Sequence, residues 1–354
     1  MSDIQVVTVA DADTLAAFDA IIDVRSPSEF AEDHVPGAIS LPVLDDAERA
    51  RVGTIYVQES GFLARRIGAA IVARNIARHL ETALADKPGD FKPLVYCWRG
   101  GQRSGSMATI LSQVGWRTAV LAGGYKTYRR TVKTRLYDDE PALKLLILDG
   151  RTGSGKTEIL TRLAARGIQV LDLEGLAGHR GSVFGGHFGR PQPSQKMFES
   201  RLLTALDALD PSLPIVVEAE ASKVGDRMVP PTVWKAMASA PCIQLSAPLA
   251  ERARYLASHY AEVVQDRAAF DAALARLPVY PGRKALAAWR VLADAGDLEA
   301  LATDLVANHY DPAYDRSSRK EARPRLGTVE LTGLDLSAQE AASDEITAML
   351  ERWR

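Results

Sequence analysis

Two cysteines, Cys97 and Cys242, are all that 354 residues contain. So thin a supply excludes a disulfide framework and points to a reducing compartment. Long apolar runs are missing too: none approaches the length that spans a bilayer, so no membrane role is expected. The opening Met1-Ser2-Asp3-Ile4-Gln5 has no positive region followed by an apolar block, so no secretory signal is read and a cytoplasmic location is expected. Neither sign of charge is in excess. Lys and Arg number 43 against 45 Asp and Glu, a net charge of −2, so a nucleic-acid partner would need a local basic patch. Three clusters qualify: Arg65, Arg66, Arg74 and Arg78; Lys126, Arg129, Arg130, Lys133 and Arg135; and Arg316, Arg319, Lys320, Arg323 and Arg325. Charge alone favours a solvated face for each. Repeats and low-complexity segments are absent. What remains is an ordinary globular composition, 47% hydrophobic and 25% charged, in a chain long enough for two or three domains.

The chain is organised around Tyr96-Cys97-Trp98-Arg99-Gly100-Gly101-Gln102-Arg103-Ser104. An apolar run from Pro93 to Tyr96 reads as a buried strand, and Ser106 to Gln113 reads as a helix. A cysteine between the two meets inward-pointing N–H groups, a helix N-terminus and two guanidinium groups. Such surroundings lower a thiol pKa and populate the thiolate. Cys97, Arg99 and Arg103 are the candidate catalytic residues, with Gly100, Gly101, Gln102 and Ser104 as an anion loop. Cys242, in an apolar strand, is given no role.

Around this loop strands alternate with helices: Ala20 to Arg25, a helix start at Ser26-Pro27-Ser28-Glu29, and a turn and strand through His34 to Pro42. Then come a helix from Phe62 to Leu84, the Cys97 strand, a strand at Thr118 to Leu121, and a helix from Lys126 to Leu136. This is an α/β domain with a largely parallel sheet, whose catalytic loops sit at the carboxyl ends of strands.

Asp23-Val24-Arg25-Ser26-Pro27-Ser28-Glu29-Phe30, Asp33-His34-Val35-Pro36-Gly37-Ala38-Ile39, the Cys97 loop and Gly123-Gly124-Tyr125 together resemble a rhodanese domain. The resemblance implies a cysteine that carries sulfur or selenium. Asp23 and Arg25 are read as a structural pair, and His34 as a turn residue. Five residues separate Cys97 from Arg103, where sulfurtransferase rhodaneses have four. The longer loop resembles that of rhodanese-like phosphatases and suits a tetrahedral, phosphate-sized oxyanion.

Asp139-Glu140-Pro141 reads as a linker. Leu143 to Leu148 is an apolar strand, and Gly150-Arg151-Thr152-Gly153-Ser154-Gly155-Lys156-Thr157 follows, matching G-x-x-x-x-G-K-[ST] ahead of a helix from Thr157 to Arg166. That context makes a phosphate-binding loop: backbone N–H groups around Gly150, Gly153, Ser154 and Gly155, Lys156 on the outer phosphate, and the Thr157 hydroxyl available to Mg²⁺. Past a strand at Gln169 to Glu174, the loop Gly178 to Gly186 offers His179, Arg180 and Ser182 to a substrate. A third strand, Pro214 to Glu220, ends in Glu218 and Glu220, where P-loop enzymes hold a metal. Pro248 to Tyr260 is a helix with Arg252 and Arg254. Leu277 to Ala307 is helical with a break at Pro281-Gly282, and the tail has one strand and an amphipathic end helix.

The expected fold class is α/β, a rhodanese-like α/β domain (1–138) followed by a P-loop NTPase-like parallel α/β domain (139–310), with a C-terminal extension (311–354) packed on the latter. Taken together, the Cys97 loop, the phosphate loop, His179-Arg180-Gly181-Ser182 and Glu218-Ala219-Glu220 resemble the tRNA 2-selenouridine synthase family. That resemblance implies a transferase acting on 2-thiouridine at the wobble position in a tRNA anticodon arm. It implies selenophosphate as selenium donor, geranyl diphosphate as the source of an S-geranyl intermediate, and no tightly bound cofactor. Cys97 would accept selenium as a selenosulfide, and Trp98 would stack on the base or pack the loop. Rival readings are a sulfurtransferase fused to a small-molecule kinase, a rhodanese-like phosphatase, and a non-catalytic nucleotide-dependent scaffold.

Overall fold

Strands form where apolar residues run together, and helices between them let neighbouring strands pair in parallel. The computed structural model describes residues 4–140, 142–182, 184–186, 190–259, 261, 264, 266–277, 282–318 and 323–353. Pro141, Val183, Tyr260, Pro281, Arg319 and Lys320, which figure in the sequence reading, lie outside the described residues. The chain divides into two units: Met1–Asp139 with Ser194–Asp207, and Glu140–Pro193 with Ala208–Arg354.

The first unit holds β1 (Gln5–Val7), β2 (Ala20–Asp23), β3 (Ile39–Ser40), β4 (Pro93–Tyr96) and β5 (Ala119–Leu121). They form one parallel sheet in the order β1-β5-β4-β2-β3. All four residues of β4 are buried, as expected of a central parallel strand covered on both faces. Ile22, Val95, Ile76, Met107, Leu111 and Trp116 share its core. Helix Gly61–Glu81 is preceded by helix Asp46–Gln58, which the sequence reading missed. Its signal is a capping box: Asp45 accepts from the Glu48 N–H at 2.7 Å, and Glu48 accepts from the Asp45 N–H at 2.9 Å.

Helix Gln195–Asp207 corrects the expected domain boundary. It packs within the first unit, although the sequence reading put it with the second. Glu199 on its inner face is 2% exposed, and a buried carboxylate needs partners. Arg129 pairs with it and the Tyr137 hydroxyl donates to it at 2.6 Å. Arg135 adds an ion pair to Asp207 at 2.9 Å. Two cations of a cluster considered for nucleic acid are thus committed to this helix.

The second unit holds β6 (Leu145–Gly150), β7 (Gln169–Leu171), β8 (Ile215–Glu218), β9 (Lys223–Val224), β10 (Arg227–Met228), β11 (Cys242–Ser246) and β12 (Arg325–Glu330). Five of these make a parallel sheet, β12-β11-β6-β8-β7, while β9 and β10 form an antiparallel pair. The tail completes this unit: β12 lies beside β11, and Ile346 and Leu350 of helix Leu336–Trp353 share one core with Leu146, Leu148 and Ile243. Arg166 reaches Asp344 at 2.8 Å and also pairs with Glu340. Helices Arg267–Arg276, Gly282–Asp294 and Leu298–Leu305 gather around Phe270, Trp289 and Leu301. No described helix is long and apolar enough to cross a membrane.

Candidate active sites

Cys97 follows the last residue of β4, and four residues separate it from helix Gln102–Val114. Its sulfur accepts from the Gly101 N–H and from the Ser104 hydroxyl, both at 3.3 Å. The thiol is 3% exposed. Burial pushes its pKa up, but the Ser104 hydroxyl and the N–H groups of Ser104, Gly101 and Arg99 outweigh burial and hold it below the ordinary thiol value. The cause differs from the expected one. Arg99 is exposed, and Arg103 is turned to Glu29 at 2.8 Å. Hydrogen bonds to the sulfur, rather than guanidinium charge, are what lower the thiol pKa.

Two glycines let the loop close. Gly124 has φ +57°, and a Cβ there would lie 2.1 Å from the Cys97 carbonyl oxygen. Gly100 has φ +66°, and its Cβ would meet the Gly123 nitrogen and the Leu121 oxygen, each at 2.8 Å. No larger residue permits such backbone contact. In the space so made, the Tyr125 N–H donates to the Cys97 carbonyl at 2.7 Å.

Asp23 and Arg25 form a buried bidentate pair, and Arg25 also donates to the Asp33 carbonyl at 2.6 Å. The Arg25 guanidinium lies 4.1 Å from the Tyr125 ring centre. Trp98 stacks on that ring at 5.2 Å, so one face of the indole serves the loop. His34 Nδ1–H donates to the Phe30 carbonyl at 2.8 Å, and the imidazole stacks on the Phe30 ring.

In the second unit β6 runs into the phosphate loop and helix Lys156–Ala165. Gly153 and Gly155 have φ +81° and +72°. The Lys156 ammonium donates to the Gly150 carbonyl at 2.8 Å, across the loop it closes. The Thr157 hydroxyl donates to Glu174 at 3.1 Å. These groups line a cavity of about 670 Å³ together with His179, Arg180, Ser182 and Glu220. Arg180 donates to the His259 carbonyl at 2.9 Å.

The sequence alone does not single out Glu174, because Gln169 to Glu174 reads as strand. The strand ends at Leu171, and Asp172 caps a short helix, Leu173–Ala177, that carries Glu174 inward. Glu218 ends β8 and accepts the Glu174 N–H at 2.7 Å. Burial, with Asp172 and Glu174 nearby, pushes Glu218 up to about 8. Burial and Glu174 push Glu220 up to about 9, and burial raises Glu174 too. Among the described residues no group of three His, Cys, Asp or Glu side chains is arranged to hold a metal.

Arg252 is 3% exposed. It binds Asp311 at 2.8 and 2.7 Å and the Thr152 carbonyl at 3.2 Å. Arg151 joins the same carboxylate at 2.9 Å and reaches Asp315 at 2.7 Å. Arg252 is thus a brace for the phosphate loop, while Arg254 pairs with Glu251 at 2.9 Å. Beside the polar cavity lies an apolar one lined by Phe184, Leu256, Phe270, Leu301 and Leu305, about 50 Å³ in size. The two share Thr152, Ser182, Leu256 and Tyr310.

Residues 143–276 match a family model described as the tRNA 2-selenouridine synthase AAA domain, and residues 8–131 match the rhodanese-like domain. A tRNA 2-selenouridine synthase of Nitrosomonas europaea is 36% identical over 66% of this chain and 61% of its own length. One of Bdellovibrio bacteriovorus is 34% identical over 66% and 62%, and one of Cupriavidus pinatubonensis is 34% identical over 73% and 72%. The chain thus spans less than two thirds of the length of the first two.

Proposed function

We propose that this protein, which belongs to the tRNA 2-selenouridine synthase family, replaces sulfur by selenium in the wobble 2-thiouridine of a tRNA anticodon arm through an S-geranyl intermediate. One observation carries the reading: a phosphate loop opens into a cavity whose neighbour, sharing four residues with it, is apolar. A diphosphate joined to a hydrocarbon chain has those two halves. The apolar cavity is small, so a ten-carbon chain would enter by displacing side chains such as Leu256 and Leu305.

In the first step the thiocarbonyl sulfur attacks C1 of geranyl diphosphate. The C–O bond breaks, diphosphate leaves with the electron pair, and the base gives up its N3 proton. Amides of the phosphate loop and Lys156 hold the departing anion. Thr157 and Glu174 are the residues that would hold a magnesium ion brought with the diphosphate, and such an ion would neutralise part of its charge. Alkylation turns a poor leaving group into a good one.

In the second step the Cys97 thiolate attacks phosphorus of selenophosphate. The P–Se bond breaks, and hydroselenide leaves with the pair. Hydroselenide adds at C2 of the base and expels geranylthiol, and water returns the phosphocysteine to thiolate and phosphate. Every transfer is redox-neutral. A selenosulfide on Cys97 would instead leave phosphorus at the phosphite level. The amide-lined loop, with five residues between Cys97 and Arg103, favours the phosphoryl route. We place the reaction in the cytoplasm, where a thiol stays reduced.

The test is mass spectrometry of nucleosides from thiolated tRNA incubated with protein, selenophosphate and geranyl diphosphate, with phosphorus NMR of the same mixture. Lys156→Ala should abolish geranylation and spare selenation of pre-geranylated tRNA; equal loss of both counts against the assignment. Cys97→Ser should geranylate and not selenate. Phosphite as the released product would overturn the phosphoryl route.

A further inference from the structure

Helices Asp46–Gln58 and Gly61–Glu81 carry three large apolar side chains into solvent at their junction: Tyr56 is 59% exposed, Val57 83% and Phe62 69%. Scattered single exposures need no explanation, but a cluster does. The Tyr56 ring also lies close to the backbone of Gly61. A Cβ on Gly61 would touch the Tyr56 ring at 3.4 Å and the Arg65 guanidinium at 3.8 Å, so ring and cation converge on one spot of backbone.

From that spot a groove of about 750 Å³ runs between Tyr56, Arg65, Gly68 and Ala69 on one side and Gln102, Arg103 and Ser106 on the other. No carboxylate is among its lining residues. Arg65 makes no ion pair among the described residues, and Gln102 is exposed. The far wall is the first turns of helix Gln102–Val114, whose buried Ser104 bonds the Cys97 sulfur. The groove and the thiol therefore lie on two sides of one helical turn.

We infer that this groove is the docking site for an unpaired nucleotide of the RNA substrate, with Tyr56 as its stacking platform. The inference rests on the proposed function for the identity of the partner. An aromatic ring offers a face to any base, and alanine substitution of such a ring costs about 1–3 kcal/mol. An adjacent arginine meets the backbone phosphate. A carboxamide such as Gln102 has both a donor and an acceptor for the edge of a uracil ring. Arginine without a carboxylate partner, beside an exposed ring, complements RNA better than it complements an acidic peptide, which would not engage the ring.

Full-length protein is titrated with a fluorescent RNA hairpin bearing unpaired uridines in its loop, over a range of salt concentrations. Tyr56→Ala should weaken binding about ten-fold, and Tyr56→Trp should restore it. Arg65→Ala should lower the salt dependence by about one phosphate contact. The rate of Cys97 alkylation, unchanged in Tyr56→Ala, shows that the first unit is folded. Wild-type affinity in folded Tyr56→Ala, including the case of a groove that holds a polypeptide, overturns the inference alone. Failure of the wild-type protein to bind the hairpin overturns the proposed function with it.

Discussion

The Ser104 hydroxyl donates to the Cys97 sulfur at 3.3 Å, from a residue with no exposed surface. That contact, more than either arginine, favours the ionised thiol. A hydrogen bond to a charged acceptor contributes about 1.5–3 kcal/mol. Ser104→Ala should therefore raise the thiol pKa and slow alkylation at neutral pH on the order of ten-fold. A pH series of iodoacetamide reactivity checks it, and an unshifted profile would reassign the effect to the backbone amides.

Gly124→Ala should collapse the thiol loop. Its Cβ would sit against the Cys97 carbonyl at a positive φ, a combination that costs about 3 kcal/mol or more. Gly101→Ala has nothing within 4 Å and φ −105°, so it should cost less than about 1 kcal/mol. Chemical denaturation of the two variants measures the contrast.

Glu218 gives the ligand-free protein a pH-dependent stability. Its folded value of about 8 lies above its unfolded value of 4.5. Between these the folded state keeps a proton that the unfolded state has lost. The stabilisation is complete below the lower value and disappears as pH rises through the upper one, at about 1.4 kcal/mol per pH unit. Glu220, raised to about 9, adds a slope of the same sign, so Glu218→Gln should lower the total slope between the two Glu218 values by about 1.4 kcal/mol per pH unit without abolishing it, as read from urea midpoints taken across the window.

Asp311→Ala removes the carboxylate that faces Arg252 and Arg151. Breaking such a buried pair from one side costs about 3–5 kcal/mol. The Thr152 carbonyl loses a fixed donor at the same time, so affinity for pyrophosphate should fall with stability. Calorimetric titration with pyrophosphate separates this from simple unfolding. Asp311→Asn, which keeps the shape, should recover more stability than affinity.

Several features needed no structure. Strand-loop-helix context around Cys97 and around residues 150–157 follows from local apolar runs and glycines. The second helix begins at Lys156, one residue before the expected Thr157, but the first begins at Gln102, four before the expected Ser106, so Gln102, Arg103 and Ser104 are helical rather than loop. Ends of elements were less legible. Glu174 reads as strand because Val170, Leu171 and Leu173 are apolar; a cap by Asp172, which accepts the Gly175 N–H at 2.7 Å, turns the chain instead. Helix Asp46–Gln58 escaped notice because it is short of apolar residues on any one face; Ile55 is its one buried residue.

The sequence by itself determined two α/β sheets, a cysteine at a strand end ahead of a helix, and a glycine-rich loop of the G-x-x-x-x-G-K-[ST] pattern, since each is written in contiguous residues whose local preferences agree. Tertiary structure decided which charges are spent and which remain. Arg103 went to Glu29, Arg129 to Glu199 and Arg252 to Asp311, partners between 59 and 74 positions away along the chain. A guanidinium finds its carboxylate only when the backbone brings them together, and no spacing rule in one dimension encodes that meeting.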